Sequence, residues 1–178
     1  MNVRSGNAVP LPDEPVPVLL VNFAAEDQAA LCEILAHPNW ELHGRASGKQ
    51  ALAFLRGRRV PVVLYERDQA ESSWRDFLNG AQELPFPPSL IVCSRLADEW
   101  LWAEVLSMGG DVLVKPFENE EVLRVAFMAW QTWKRRCTER IRGAQGGARQ
   151  PLRACDRVLR TTAGLGCYLG ANQPGGRE

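Results

Sequence analysis

Short apolar runs alternate with stretches of helical periodicity along most of this chain, and that alternation predicts its architecture. Residues 17–22 (PVLLVN), 60–65 (VPVVLY), 90–93 (LIVC) and 112–114 (VLV) are almost continuously apolar and too short for helices. Strands buried on both faces read this way. Residues 40–45 (WELHGR) make a weaker strand, expected at a sheet edge. Between these runs, residues 26–36 carry Ala30, Leu31, Ile34 and Leu35 at helical spacing. Ser47-Gly48-Lys49-Gln50 has the form of a capping box opening a helix through Leu55. Ser72 or Ser73 caps a helix with Trp74, Phe77 and Leu78; residues 98–107 form a fourth helix, stopped by Gly109-Gly110. A long last helix covers 118–136. Five β/α pairs of this kind predict an α/β fold: a parallel sheet covered on both faces. Right-handed crossovers leave a flavodoxin-like, doubly wound five-stranded sheet, order 2-1-3-4-5, as the expected topology.

Composition divides the chain further. Residues 1–15 are polar, contain Pro10, Pro12 and Pro15, and read as a flexible leader to a domain over 16–136. The net charge of zero conceals an asymmetry: residues 134–178 hold ten Lys/Arg against three Asp/Glu, so the preceding residues are acidic. Residues 137–178 are expected to be a basic, glycine-rich and mostly disordered tail, with a short helix over 151–162. Its arginines at 149, 153, 157 and 160 could touch nucleic acid through charge alone. The tail is too small for a helix-turn-helix output domain, and nucleic acid is not the expected partner. Five cysteines (Cys32, Cys93, Cys137, Cys155, Cys167) with no CxxC spacing read as reduced thiols in a cytoplasmic protein. No signal peptide or membrane-spanning stretch is expected. GxGxxG, P-loop and GxSxG signatures are absent from the sequence, so an enzyme is not expected either.

The chemistry gathers around Lys115-Pro116-Phe117, which closes the last apolar run and sets a lysine at a strand's carboxyl end. In open α/β sheets, ligands collect there. This tripeptide after five β/α units resembles the receiver domain of bacterial two-component response regulators, over residues 16 to about 134. The resemblance implies phosphoryl transfer from a histidine kinase to an aspartate ending the third strand. It also implies a magnesium ion held by an acidic pair after the first strand, and phosphoryl contacts from a Ser/Thr and the lysine. On these grounds Lys115 and Ser94 match the family's phosphoryl-contact positions. Glu66 stands at the phosphoacceptor position, and Asn22 and Phe23 stand where the acidic pair belongs. Val112 occupies the place of the aromatic residue that reports activation, and Arg95 that of a small residue.

A pseudo-receiver is therefore expected, in which Glu66 pairs with Lys115, hydrogen-bonds Ser94, and mimics part of an activated state. Hard divalent cations want anionic oxygen ligands, so no tightly bound magnesium or other cofactor is expected. The runner-up function is a conventional receiver that still accepts phosphate, and two further alternatives concern the site itself. Glu66 and Lys115 could be a plain ion pair, or Asp68, two residues on, could be the carboxylate nearest the lysine. Glu26 and Asp27 read as favourable charges in a helix's first turn, with replacement metal ligation as the alternative. The last helix is strongly apolar from Val122 to Trp133. Leu123, Phe127 and Trp130, with Trp100 of the fourth helix, are expected to form an exposed patch for a protein partner or homodimer. The alternative is that the tail folds back over that patch.

Overall fold

The computed structural model describes residues 14–36, 39–68 and 73–145. The leader through residue 13 and the expected helix at 151–162 lie outside them, as do Cys155 and Cys167. The chain divides into two units, Met1–Ile141 and Arg142–Glu178; the first holds all that follows except the last four residues of α5.

Strands β1 (Val16–Val21), β2 (Trp40–Arg45), β3 (Val62–Glu66), β4 (Ser89–Ser94) and β5 (Asp111–Val114) alternate with helices α1 (Ala25–Ile34), α2 (Gly48–Gly57), α3 (Trp74–Gln82), α4 (Glu99–Ser107) and α5 (Asn119–Gln145). All pairings are parallel, in the order β2-β1-β3-β4-β5. The flavodoxin-like fold expected from the alternation is the one observed. Strand alternation sorts the core into two layers. Val18, Leu20, Val62, Leu64, Ile91, Cys93 and Leu113 pack with α1 and α5. Leu19, Val21, Val63, Tyr65, Leu90, Val92 and Val112 pack with α2, α3 and α4.

Helix starts follow local hydrogen-bond chemistry. Ser47 Oγ accepts from Gln50 N at 3.4 Å, and the Gln50 side chain accepts from Ala46 N, one residue before the position a capping box uses. Ser73 caps α3, accepting from Arg75 N at 3.2 Å; Ser72 lies outside the described residues. Asp98 caps α4 through Leu101 N at 2.8 Å. Gly109, at φ 75°, ends α4 in the left-handed region that a side chain would disfavour.

Two elements depart from expectation. The third strand begins at Val62, not Val60, because Pro61 has no N–H; its carbonyl accepts from Ser89 N at 2.8 Å. Helix α5 runs nine residues past Arg136, to Gln145. Basic residues favour a helix's end but do not stop one, and no glycine or proline intervenes before Gly143.

Candidate functional site

The carboxyl edge of the sheet gathers four ionisable side chains, sorted by strand pleat. Glu66 follows Leu64 on the face covered by α1 and α5, and Lys115 follows Leu113 on that same face. The first turn of α1 brings Asp27 to them. The Lys115 ammonium, 6% exposed, contacts Glu66 Oε2 and lies 2.7 Å from Asp27 Oδ2. The other oxygen of the wholly buried Glu66 carboxylate accepts from Asp68 N at 2.8 Å. Burial pushes the lysine pKa down, yet hydrogen bonds and charge from Asp27 and Glu66 outweigh it and hold the pKa above its ordinary value.

Aromatic rings complete the enclosure. The centroids of Phe23 and Phe117 lie 5.8 and 5.9 Å from Lys115 Nζ, and the rings are 6.3 Å apart. Each presents its negative face region to the cation. Above the ammonium opens a depression of about 320 Å³ lined by Asp27, Arg95, Lys115 and Pro116. The Lys115–Pro116 peptide bond is cis.

Ser94 belongs to the opposite face, in phase with Val92, so the hydrogen bond expected between Ser94 and Glu66 does not form. Its hydroxyl donates instead to Asp68 Oδ1 at 2.8 Å, and Arg95 N donates to Asp68 Oδ2 at 2.7 Å. Burial pushes the Asp68 carboxyl up, but these two hydrogen bonds, then the charges of Lys115 and Arg67, bring it below its ordinary value. Asp68 thus fills the role at Ser94 that Glu66 was expected to fill. The Glu66–Lys115 pair is present as expected.

The remaining site candidates are placed as follows. Asn22 sits just past β1 at φ 66°, donating its backbone N–H to Arg45 O at 2.9 Å. Val112 is buried in the core beside Val92, in the layer covered by α2, α3 and α4. Trp100 is 85% exposed, but Trp130 is 9% exposed and belongs to the core, and Leu123 and Phe127 pack half-buried against it. The exposed apolar patch expected on α5 is corrected accordingly. A helix of this length can bury two adjoining stripes where α5 lies over the sheet beside α1. The exposed large apolar side chains are Leu96, Trp100, Leu106 and Met108 along α4 and its flanks, with Met128 and Ile141 on α5.

Asp27 and Asp68 are the residues that sequence reasoning set aside. The signal for Asp27 was available: the first turn after β1 necessarily lies at the carboxyl edge. The donor set does not fit a hard divalent cation, because both inward carboxylates, Asp27 and Glu66, already surround an ammonium, and Phe23 walls its side.

No protein-family profile matches the chain. Among solved structures, the signal receiver domain of a LuxO repressor protein from Vibrio parahaemolyticus superposes with TM-score 0.64 at 16% identity. It covers 70% of this chain and 96% of that one. The chain has the receiver-domain fold. The signal receiver domain of an HD-domain-containing protein from Pseudomonas fluorescens gives TM-score 0.61 at 24% identity, covering 76% of this chain and 98% of its own. The chemotaxis response regulator CheY4 of Vibrio cholerae gives 0.57 at 19%, covering 65% and 98%. In sequence, the probable transcriptional regulatory protein TcrX of Mycobacterium tuberculosis is 30% identical over 115 residues, 62% of this chain. The chain spans about half the length of that relative, 47%. No helix among the described residues is long and apolar enough to cross a membrane.

Proposed function

We propose that this chain is a cytoplasmic signalling module of response-regulator type whose phosphoryl-transfer site is degenerate, and which works by binding proteins rather than by catalysis. One observation carries the reading: every group that would serve a phosphoryl oxygen already has an internal anion. Lys115 is taken by Glu66 and Asp27, while the Ser94 hydroxyl and the Arg95 N–H are taken by Asp68. Glu66 occupies the acceptor position with one methylene more than aspartate, and both of its oxygens are engaged and buried. A nucleophile enclosed in this way is not free to attack a phosphoryl donor. The switch serine meanwhile rests against a carboxylate, much as it would against a phosphoryl group, which supports a standing, signal-independent state. Output then falls to a protein partner or second copy meeting the exposed α4 face around Trp100.

Incubation with acetyl phosphate and magnesium, followed by intact mass spectrometry, tests the site. No phosphoryl adduct is expected. A stable adduct on Glu66 overturns the proposal. One mapped to Asp68 favours a second reading, a working receiver with a displaced acceptor, since Asp68 is the exposed carboxylate bonded to Ser94.

A further inference from the structure

At the opposite, amino-terminal edge of the sheet, positive charge accumulates, and only part of it is paired with carboxylates. The loop after α2 presents Arg56, Arg58 and Arg59 around a cleft of about 260 Å³, floored by Leu55, Val60 and Leu84 and closed by Phe86. Phe86 is also a wall of a small adjoining hollow lined by Pro87, Arg136, Cys137 and Arg140. The Arg59 guanidinium stacks 4.1 Å over the Phe86 ring, which holds it in place. Arg140 is fixed by a 2.8 Å hydrogen bond to Pro85 O, and Arg136 by one of 2.6 Å to Ser89 Oγ. Arg58 pairs with Glu41. Among the described residues no carboxylate lies within 4.0 Å of Arg59, Arg136 or Arg140. The Arg136 Nε is buried with no hydrogen-bond partner. Burial, and after it the charges of Arg140 and Arg135, push the Arg136 guanidinium below its ordinary value, with Cys137 opposing.

We propose that this cleft, lined by Arg59 and Phe86, together with the adjoining hollow in which Arg136 and Arg140 lie on the other side of Phe86, binds a small phosphate ester at the edge remote from Lys115. Guanidinium forks match phosphate oxygens in pairs, and a doubly charged anion relieves the repulsion among like charges held at fixed positions. The apolar floor gives room for a modest organic group, and the volume lies below the range of larger ligand pockets, which favours a small molecule. Residues 146–178 carry five arginines against Asp156 and Glu178, so their charge does not complement this cleft.

The test is titration of the full chain with pyrophosphate and with adenosine monophosphate, followed by amide NMR. Saturable shifts are expected at Arg56–Val60, Leu84, Phe86 and Arg136–Arg140, weakening as salt rises. Arg59→Gln with Arg140→Gln, both exposed side chains, is expected to weaken binding about tenfold or more. Arg124→Gln, elsewhere on α5, should leave it unchanged. Absence of saturation, or binding indifferent to the double substitution, overturns the proposal. So does binding of a single-stranded oligonucleotide without any response to the small phosphates.

Discussion

Lys115 shows how much one buried charge depends on its partners. Removing its ammonium leaves Glu66 wholly buried with one oxygen uncompensated and Asp27 beside it. Breaking a buried pair from one side typically costs about 3–5 kcal/mol, because the desolvated partner remains. Lys115→Met is therefore expected to lower urea-unfolding stability by about that amount. Adding Glu66→Gln should restore part of it, and a strictly additive double-mutant cycle would show that the two groups do not act together. Asp68 makes a different prediction. Its carboxyl is held below its ordinary value when folded, so the stability it contributes is present above the unfolded pKa, near about 4. That contribution is lost as pH falls through the lower folded value. Asp68→Asn should accordingly flatten the loss of stability below about pH 4 without changing its slope near neutrality. Lys115 works in the opposite direction: its raised pKa means a contribution present below about pH 10.4 and lost only as pH climbs through the folded value.

Elements separate what the sequence reveals from what it hides. Strand positions were legible because a strand covered on both faces has to be apolar throughout, and caps at Ser47, Ser73 and Asp98 have one local chemistry. The face of α5 that meets the sheet was not legible. Val122, Val125, Ala126, Ala129 and Trp130 are all buried, so a helix apolar on several sides was read as having apolar surface to spare. Trp130 and Trp40 are both buried in the core layer on the face covered by α1 and α5. Trp130→Ala should then cost about 3–5 kcal/mol of stability, whereas Trp100→Ala should change it by less than about 0.5. Thermal and urea unfolding of the two variants decide this, and equal costs would contradict the burial difference. The partner of Ser94 was hidden for another reason. Which of two carboxylates two residues apart meets a given hydroxyl depends on the pleat and on where β3 releases the chain. Periodicity fixes neither.

For the whole molecule, the satisfied site and the exposed α4 face bear on each other. Receiver-type signalling requires that an added phosphoryl group change the contacts of the switch serine, and here Ser94 already contacts an anion. A ligand that creates no differential interaction cannot shift an equilibrium, so association through α4 should be insensitive to phosphoryl donors. Sedimentation velocity of the full chain, with and without acetyl phosphate and magnesium, is expected to give one unchanged distribution. If a second copy is what covers α4, Trp100 and Leu96, at 85% and 80% exposure, are the side chains with most area to bury. Loss of a tryptophan anchor from an interface centre costs about 2 kcal/mol or more, roughly thirtyfold in affinity. Trp100→Ala should then move the distribution toward monomer at fixed concentration while leaving the unfolding midpoint in place. A donor-dependent change in the wild-type distribution would mean that the switch still moves, and with it that Asp68 does not hold Ser94 against a real phosphoryl group.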